Sequence, residues 1–253
     1  MPWDPQQYER FKAERYAPFA DLLTLITARP DLEVVDLGCG TGELTAKLQL
    51  HLAGSRVLGV DSSRQMLKRA QAHANLYLGF VQNDFATLSG EWDLIFSHAA
   101  LQWVEDHPTL LGHLWTCLRP DGQMAIQMPS NHDHLSHRLI QEIAAAEPFS
   151  EALRGWQRQS PVLQIDAYAK LLYRLGAREI TVFEKIYPHL LSEADELLEW
   201  VKGTALLPYL ERLPDRLRQD FLARYSERIR EALPEQPLFY PFRRILFSAR
   251  KAP

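Results

Sequence analysis

The sequence predicts an α/β fold in which a doubly wound, mainly parallel sheet of seven strands carries a helical lid inserted before the last strand. Two observations lead to this fold class. Short apolar runs of strand length alternate with stretches that have apolar residues at three- and four-residue spacing. After residue 128 this alternation gives way to a long helical excursion, which ends at one more apolar run.

Five apolar runs in the first half of the chain are predicted to be strands buried on both faces. They span residues 32–37, 56–61, 76–82, 92–97 and 122–128. The stretches between them at 43–53, 63–74 and 105–118 have the apolar spacing of helices. Since parallel strands need crossover connections, this order predicts a parallel core over residues 31–128.

The second half of the chain has a different pattern. Residues 129–163 are polar and helix-like, 164–175 form an amphipathic helical pattern, and 177–187 alternate like a strand. Residues 192–233 are helical in pattern, and 238–250 are predicted as the last strand.

We expect one domain over residues 1–253. Its parts are a helical cover at 1–30 with a helix around 4–15, the core, lid insertions at 129–163 and 192–235, and a terminal strand at 236–253. Ligands of such sheets bind at the carboxyl ends of the strands, where we expect the cover and the lid.

Composition restricts the class of partner. The 253 residues carry a formal net charge of −4, which argues against sequence-independent nucleic-acid binding. No apolar run approaches the roughly 20 residues of a membrane span, the start has no signal-peptide pattern, and there are only two cysteines. We expect a cytoplasmic monomer that acts on a small molecule and binds neither nucleic acid nor membrane.

The clearest chemical motif is the loop after the first predicted strand. Gly38, Gly40 and Gly42 alternate directly before a helix that starts near Glu43. Glycines permit a tight turn and let a nucleoside-like ligand approach the main chain. The spacing differs from the Gly-x-Gly-x-x-Gly of nicotinamide-dependent oxidoreductases, and Asp36 at the strand end would repel a pyrophosphate but suit a cation.

Two further acids follow the next two strands. Asp61 lies 19 positions beyond Gly42, near the offset of a carboxylate that binds ribose hydroxyls. Asp84 follows the third strand, where it can accept a hydrogen bond from an adenine amino group while Phe85, Met66 or Leu67 packs on the ring. The three loops are predicted to meet at one edge of the sheet.

Together with the segment Leu118-Arg119-Pro120-Asp121-Gly122, these residues resemble the class I S-adenosylmethionine-dependent methyltransferases over roughly residues 32–128. The resemblance implies a Rossmann-like sheet and S-adenosylmethionine as the cofactor. It also implies that the glycine loop holds the methionine moiety, Asp61 the ribose and Asp84 the adenine. The predicted cofactor-binding residues are Asp36, Gly38, Gly40, Gly42, Asp61, Ser62, Met66, Asp84, Phe85 and Ser97.

A closer resemblance, to the bacterial trans-aconitate 2-methyltransferases, runs over nearly the whole chain. One departure is His98, where that family often has Asn, and another is the variable stretch 147–163. The matching segments are Trp3-Asp4-Pro5 with Tyr8, Phe11 and Arg15, Asp61-Ser62-Ser63-x-x-Met66, Ala100-Leu101-Gln102-Trp103-Val104-x-Asp106-His107, Gln127-Met128-Pro129-x-Asn131, His137, Trp200-Val201 and Leu207-Pro208-Tyr209-Leu210.

This resemblance implies an O-methyltransferase that esterifies a carboxylate of a small polycarboxylic acid, with trans-aconitate as the first choice. Two alternatives stay open: methylation of a malonyl thioester on acyl carrier protein, and a non-catalytic module that binds S-adenosylmethionine. An acidic carrier protein would need a basic docking face, whereas residues 208–233 carry six Arg against five acids.

The chemistry predicts no catalytic acid or base. A carboxylate is already ionised at neutral pH, so catalysis rests on positioning and exclusion of water. Arginine grips carboxylates best, which makes Arg15 and Arg243 candidates, with Arg244 beside the latter. Arg243 and Arg244 could equally be solvated charges at a sheet edge.

The remaining predicted substrate-binding residues are Gln102, Trp103, His107 and His137. Gln102 and Trp103 follow the fourth strand, although Trp103 could instead close the core. The histidines could donate to carboxylates, or be local hydrogen-bonding or capping residues. The His132-x-His134-x-x-His137 segment lacks a nearby Cys or Glu that would complete a metal site, so no metal is predicted.

Overall fold

The computed structural model describes residues 12–253 of the chain, and the side chains of residues 16–253. Its strands form one seven-stranded sheet, which confirms the predicted α/β fold. The strands are β1 (Glu33–Leu37), β2 (Arg56–Asp61), β3 (Leu78–Gln82), β4 (Trp92–His98), β5 (Leu118–Pro129), β6 (Arg178–Leu191) and β7 (Leu238–Arg250).

Ten α-helices lie within the described residues. They are α1 (Lys12–Leu23), α2 (Glu43–His51), α3 (Arg64–Ala70), α4 (His107–Thr116), α5 (Leu135–Ala145), α6 (Phe149–Ala152), α7 (Ile165–Arg174), α8 (Ala194–Lys202), α9 (Leu207–Arg212) and α10 (Asp215–Ala232). Most of the helix predicted around residues 4–15 lies outside the described residues. None of the described helices is long and apolar enough to cross a membrane.

The strand order explains where a ligand can enter. It is β3-β2-β1-β4-β5-β7-β6, with parallel pairing from β3 to β5 and an antiparallel pair between β5 and β7. The chain order reverses between β1 and β4, and at such a switch point the carboxyl ends of the two strands open a crevice. The glycine loop follows β1, and residues 99–103 follow β4.

The expectation that all five early strands are buried on both faces is wrong for β3. This strand lies at one edge of the sheet, and Val81 is 42% exposed. The run 76–82 has the composition of a central strand, but position in the sheet decides its exposure. By contrast, β1 and β4 have almost continuous burial, as predicted.

The chain divides into two compact units. The core unit comprises Tyr16–Pro129, Pro161–Lys185 and Arg244–Pro253, and the helical unit includes Ser130–Ser160 and Ile186–Arg243. Each unit has its own apolar core. Val35, Ile95 and Ile126 lie at the centre of the first, and Phe221 and Tyr225 lie in the second. The domain limits expected from the sequence stay a prediction.

Candidate active site

In the glycine loop, close packing requires glycine at two positions, whereas a third position has open space around it. All three have positive φ angles, of 79° at Gly38, 56° at Gly40 and 78° at Gly42. A Cβ on Gly38 would lie 2.1 Å from Cβ of Ala100, and one on Gly42 would lie 2.7 Å from the Phe80 ring. A Cβ on Gly40 would meet nothing within 4 Å. The main chain at Gly40 is therefore accessible to a ligand.

The side chain of Asp61 links this loop to the end of β2 by a hydrogen bond. The Gly40 amide donates to Oδ2 of Asp61 at 2.9 Å, and the Ser63 amide donates to Oδ1 at 2.8 Å. The carboxylate is half-buried, and each oxygen has a further lone pair. It can therefore hold the loop and accept from two vicinal hydroxyls at once. Ser62, also predicted here, is exposed beside it, and its carbonyl accepts from Gln82.

Asp36 is buried beneath the loop. Its Oδ2 accepts a hydrogen bond from the Thr45 hydroxyl at 2.6 Å, and only 4% of the residue is exposed. Burial raises the pKa of Asp36 to about 7, the Thr45 hydrogen bond opposes the rise, and the charge of Asp61 adds to it. A cation bound nearby would favour the ionised form, in keeping with the cation role expected for this strand end.

The loop after β3 presents the third acid. Asp84 is exposed, and its Oδ1 accepts from the Ala86 amide at 2.9 Å at the start of a short 3-10 turn. The half-buried Phe85 ring reaches the glycine loop, because it lies 3.4 Å from the position of a Gly38 Cβ. Met66 is half-buried on α3, where its amide donates to the capping Ser63 hydroxyl. Because β2 and β3 are parallel neighbours, Met66 after β2 and Asp84 and Phe85 after β3 lie at the same edge of the sheet as the glycine loop.

The comparisons with known proteins agree with this geometry. A family model described as a methyltransferase domain matches residues 8–179. The trans-aconitate 2-methyltransferase of Deinococcus radiodurans is 48% identical over 257 residues, with 99% of each chain covered. The chain belongs to the class I methyltransferase family. The resemblance predicted from the sequence is confirmed.

Other relatives of this methyltransferase extend the comparison. The trans-aconitate 2-methyltransferase of Variovorax paradoxus is 37% identical, over 92% of this chain and 91% of its own. Among solved structures, the YcgJ protein of Bacillus subtilis superposes with a TM-score of 0.63 at 14% identity, covering 94% of this chain and 99% of its own. Phosphoethanolamine N-methyltransferase 2 of Haemonchus contortus, solved with S-adenosylmethionine, gives 0.56 at 18% identity, covering 94% of this chain and 53% of its own. The two structures support the fold alone.

Three of the methyltransferase's predicted site residues, Ser97, Gln102 and Trp103, lie at the end of β4 or shortly after it. The buried Ser97 hydroxyl donates to the Leu37 carbonyl at 2.8 Å and so ties β4 to β1. Gln102 donates to the Ala99 carbonyl at 2.7 Å, and its buried Oε1 has no hydrogen-bond partner among the described residues. Trp103 is 50% exposed. Its ring therefore does not close the core, and its role as a pocket wall stays a prediction.

His107 lies inside the core unit. Its Nδ1 lies 2.5 Å from the Tyr168 hydroxyl and its Nε2 lies 2.9 Å from the Leu101 carbonyl, while burial lowers its pKa. Helix α4 is capped by Asp106, which accepts from the Thr109 amide. Both ring nitrogens therefore have protein partners. The geometry favours the alternative role, a local hydrogen-bonding residue, over contact with a substrate.

A polar chain at the ends of β4, β5 and β7 was not predicted as a unit. With the Gln127 side chain oriented to satisfy its neighbours, its oxygen accepts from Nη1 of Arg244 at 2.9 Å and its nitrogen donates to Nε2 of His98 at 3.2 Å. Arg244 is only 3% exposed. The interpretation of Arg244 as a solvated edge charge is wrong, because β7 lies between β5 and β6. The sequence signal was a set of polar residues inside otherwise apolar strands.

Two predicted substrate residues lie in the helical unit. His137 occupies the first turn of α5, and Arg243 is half-buried on β7 with its amide donating to Oδ1 of Asn131 at 2.6 Å. His134 is the N-cap of α5, and its Nδ1 accepts from the Ser136 amide at 3.2 Å. The described residues bring no three metal-ligating side chains together. The side chain of Arg15 lies outside the described residues.

Proposed function

We propose that this methyltransferase uses S-adenosylmethionine to esterify a carboxylate of a small polycarboxylic acid, and that the acid is trans-aconitate. The observation that carries the proposal is the 48% identity, across 99% of both chains, to a protein named for that activity. The intact glycine loop and its contact with Asp61 supply the cofactor face that the reaction needs.

The cofactor is proposed to lie along the open face at Gly40. The Asp61 carboxylate then accepts from the ribose hydroxyls, Asp84 accepts from the adenine amino group, and Phe85 and Met66 pack on the ring. The Gly38–Gly42 loop approaches the methionine moiety, and Asp36 below it adds a negative charge near the sulfonium. Ser62 and Ser97 complete the set as predicted neighbours.

S-adenosylmethionine supplies a methyl group attached to positively charged sulfur. An oxygen of the acceptor carboxylate would form the new bond to the methyl carbon as the carbon–sulfur bond breaks. The electron pair of the carbon–sulfur bond would go to sulfur. The products are a methyl ester and S-adenosylhomocysteine, and no proton moves. The protein has to align oxygen, carbon and sulfur and exclude water.

Gln102 and Trp103 are proposed to border the acceptor, because they follow β4 at the crevice beside the glycine loop. Arg15 is proposed to grip a carboxylate. It directly precedes Tyr16, whose hydroxyl donates to Glu43 at the start of α2. Glu43 directly follows Gly42, the last glycine of the cofactor loop. The residue next to Arg15 in the sequence therefore has a hydrogen bond to the residue next to that loop.

Residues 129–163 and 192–235 are proposed to act as a lid that excludes water, and the enzyme is proposed to act as a cytoplasmic monomer without nucleic acid. Gel filtration with light scattering tests the monomer. An elution mass of two chains at micromolar concentration would refute it.

The function is tested by following methyl label from S-adenosylmethionine into base-labile ester. The acceptors are trans-aconitate, cis-aconitate, citrate, isocitrate and malonyl-acyl carrier protein. Selective label on trans-aconitate is the expected result, and Arg15→Ala should then raise its KM, whereas the exposed control Arg216→Ala should not. Label on the carrier protein alone would replace the acceptor class, and cofactor binding without any ester would make the chain a binding module.

A further inference from the structure

The segment that follows β4 lies directly against the glycine loop, within the core unit. The strands β1 and β4 are parallel neighbours, and a Cβ on Gly38 would lie 2.1 Å from Cβ of Ala100. A short 3-10 turn, Leu101–Trp103, comes next in the chain. Gln102 is in the middle of this turn, only two residues along the chain from the point of contact with the loop.

The main chain at Ala99 has an unusual conformation that two hydrogen bonds hold in place. Its φ angle is 55°, in the left-handed region that residues other than glycine rarely adopt. The Ala99 amide donates to the Gln127 carbonyl at 2.9 Å, and the Ala99 carbonyl accepts from Nε2 of Gln102 at 2.7 Å. Such residues persist where the surrounding contacts impose the conformation, often at ligand sites. The Gln102 side chain is one of those contacts.

The main chain next to Gln102 is anchored in the core. Nε2 of the buried His107 lies 2.9 Å from the Leu101 carbonyl, and Nδ1 lies 2.5 Å from the hydroxyl of the buried Tyr168. Because a carbonyl can only accept, Nε2 carries the proton and donates, and Nδ1 accepts from the Tyr168 hydroxyl. That hydroxyl accepts in turn from the Leu163 amide at 3.1 Å. The turn that carries Gln102 therefore has a fixed position in the core unit.

The Gln102 side chain has one acceptor that the protein does not use. Because the Ala99 carbonyl can only accept, the amide nitrogen of Gln102 has to face it, and this fixes the position of Oε1. Oε1 is buried and has no hydrogen-bond partner among the described residues. A buried acceptor without a partner costs free energy, because its hydrogen bonds to water have been lost. The position therefore suits a ligand that brings a donor.

The chemistry of the two proposed substrates decides which ligand group can be that donor. A tricarboxylate such as trans-aconitate is ionised at neutral pH, and its carboxylates offer only acceptors. S-adenosylmethionine offers donors on the ribose, the adenine and the methionine α-ammonium group. The proposed binding mode assigns the ribose hydroxyls to Asp61 and the adenine amino group to Asp84. The α-ammonium group remains, on the moiety that approaches the glycine loop.

We infer that Oε1 of Gln102 accepts a hydrogen bond from the α-ammonium group of S-adenosylmethionine and so orients the methionine moiety at the glycine loop. The inference rests on the proposed function, which places Gln102 beside the acceptor, and adds a cofactor contact through the oxygen that the acceptor acid cannot use. The amide nitrogen then holds the turn at Ala99, and the amide oxygen holds the ligand. A hydrogen bond to a charged group is stronger than one between neutral groups.

The test is calorimetric titration of two ligands into the full chain, without an acceptor acid. One ligand is S-adenosylhomocysteine, and the other is its deamino analogue, in which hydrogen replaces the α-amino group. The wild type should bind S-adenosylhomocysteine at least about tenfold more tightly than the analogue. Gln102→Met keeps the length of the side chain and removes both polar atoms. The ratio of the two Kd values, analogue over S-adenosylhomocysteine, should fall about tenfold in this variant.

The Kd ratio separates contact with the cofactor from a merely structural role. Loss of structure alone would weaken both ligands equally, so a ratio that is the same in the wild type and Gln102→Met would overturn the inference. The exposed Gln71 also donates from Nε2 to a main-chain carbonyl, that of Phe80 at 3.2 Å. Gln71→Met is therefore the matched control, and its ratio should equal that of the wild type.

A second variant separates the two halves of the Gln102 amide. Gln102→Glu keeps an oxygen for the α-ammonium group but has no N–H for the Ala99 carbonyl. Its Kd ratio should therefore be at least as large as that of the wild type, even where both ligands bind more weakly. A ratio near one in Gln102→Glu would overturn the inference, as would equal Kd values for the two ligands in the wild type.

Failure of the proposed function is distinguishable from failure of this contact. If the wild type binds S-adenosylhomocysteine but methylates no acid, the acceptor proposal fails, whereas the Kd ratio still tests Gln102. If the wild type methylates trans-aconitate and the ratio is unchanged in Gln102→Met, the function stands and the inference is wrong. If the wild type does not bind S-adenosylhomocysteine, both are wrong.

Discussion

Replacement of Asp36 by Asn should make the cofactor-free protein more stable at alkaline pH. In the wild type this carboxyl group is buried, and it accepts a hydrogen bond from the Thr45 hydroxyl at 2.6 Å. An asparagine oxygen can accept the same hydrogen bond. The substitution therefore removes the cost of ionising a buried group and keeps the local contact.

The magnitude follows from the pKa. Burial raises it from 3.8 to about 7, a difference of roughly three pKa units, which is about 4 kcal/mol at 1.36 kcal/mol per unit. A raised carboxyl pKa contributes stability that is fully present below pH 3.8 and is lost as the pH rises to about 7. By pH 5 only about 1.7 kcal/mol is lost, and by pH 8 the loss of about 4.3 kcal/mol is nearly complete. The Asn variant should therefore gain about 2.5 kcal/mol on the wild type between pH 5 and pH 8.

Urea unfolding of both proteins at several pH values between 5 and 8 measures this difference. Comparison of the two proteins cancels groups that they share, including His107 and His137, whose lowered pKa values cost stability as the pH falls. The test is how the difference in free energy of unfolding between the two proteins changes with pH, because Asn and Asp also differ in solvation. A difference that is the same at pH 5 and pH 8 would show that Asp36 ionises normally in the folded protein.

Three further predictions separate residues that hold the fold from residues that bind the cofactor. Gly38→Ala should destabilise the protein by about 3 kcal/mol through its clash with Ala100, whereas Gly40→Ala should cost only about 1 kcal/mol of backbone strain. Gly40→Ala should also weaken S-adenosylhomocysteine binding. Thermal melts compare the stability of the two variants and calorimetry compares their binding, and equal melting temperatures would contradict the assignment. Asp61→Ala should raise the Kd of S-adenosylhomocysteine about 10- to 100-fold in the same calorimeter, and an unchanged Kd would remove Asp61 from the ribose site. Tyr168→Phe should lower the free energy of unfolding by about 1–3 kcal/mol and leave the KM for the acceptor unchanged, as urea titration and initial rates would measure; a raised KM would return its partner His107 to the substrate site.

Local patterns in the sequence were sufficient for the elements of the fold. The strands β2 and β7 have the bounds predicted for them, and α2, α4 and α7 start or end within a few residues of their predictions. The reason is that strand and helix periodicity and the glycine loop are properties of neighbouring residues. The resemblance added the family, because it rests on whole motifs at fixed spacing.

Positions that depend on long-range packing were not available from the sequence. The run at β3 has the composition of a central strand yet lies at an edge, and Arg244 is buried in a polar chain with Gln127 although its sequence context suggested a solvated charge. Residues far away in the chain decide how deeply a polar side chain is buried, how an Asn or Gln amide group is oriented and which hydrogen-bond partners it has.

By itself, the sequence determined the class of fold, the cofactor loop and its two companion acids, since each is written in residues close together in the chain. Only the tertiary structure decided that His107 bonds within the core, that Asp36 ionises with difficulty, and that Arg244 is buried beside Gln127. The physical reason is desolvation. Whether a polar side chain is costly, committed or available to a ligand depends on what packs around it, and that is set when distant segments come together.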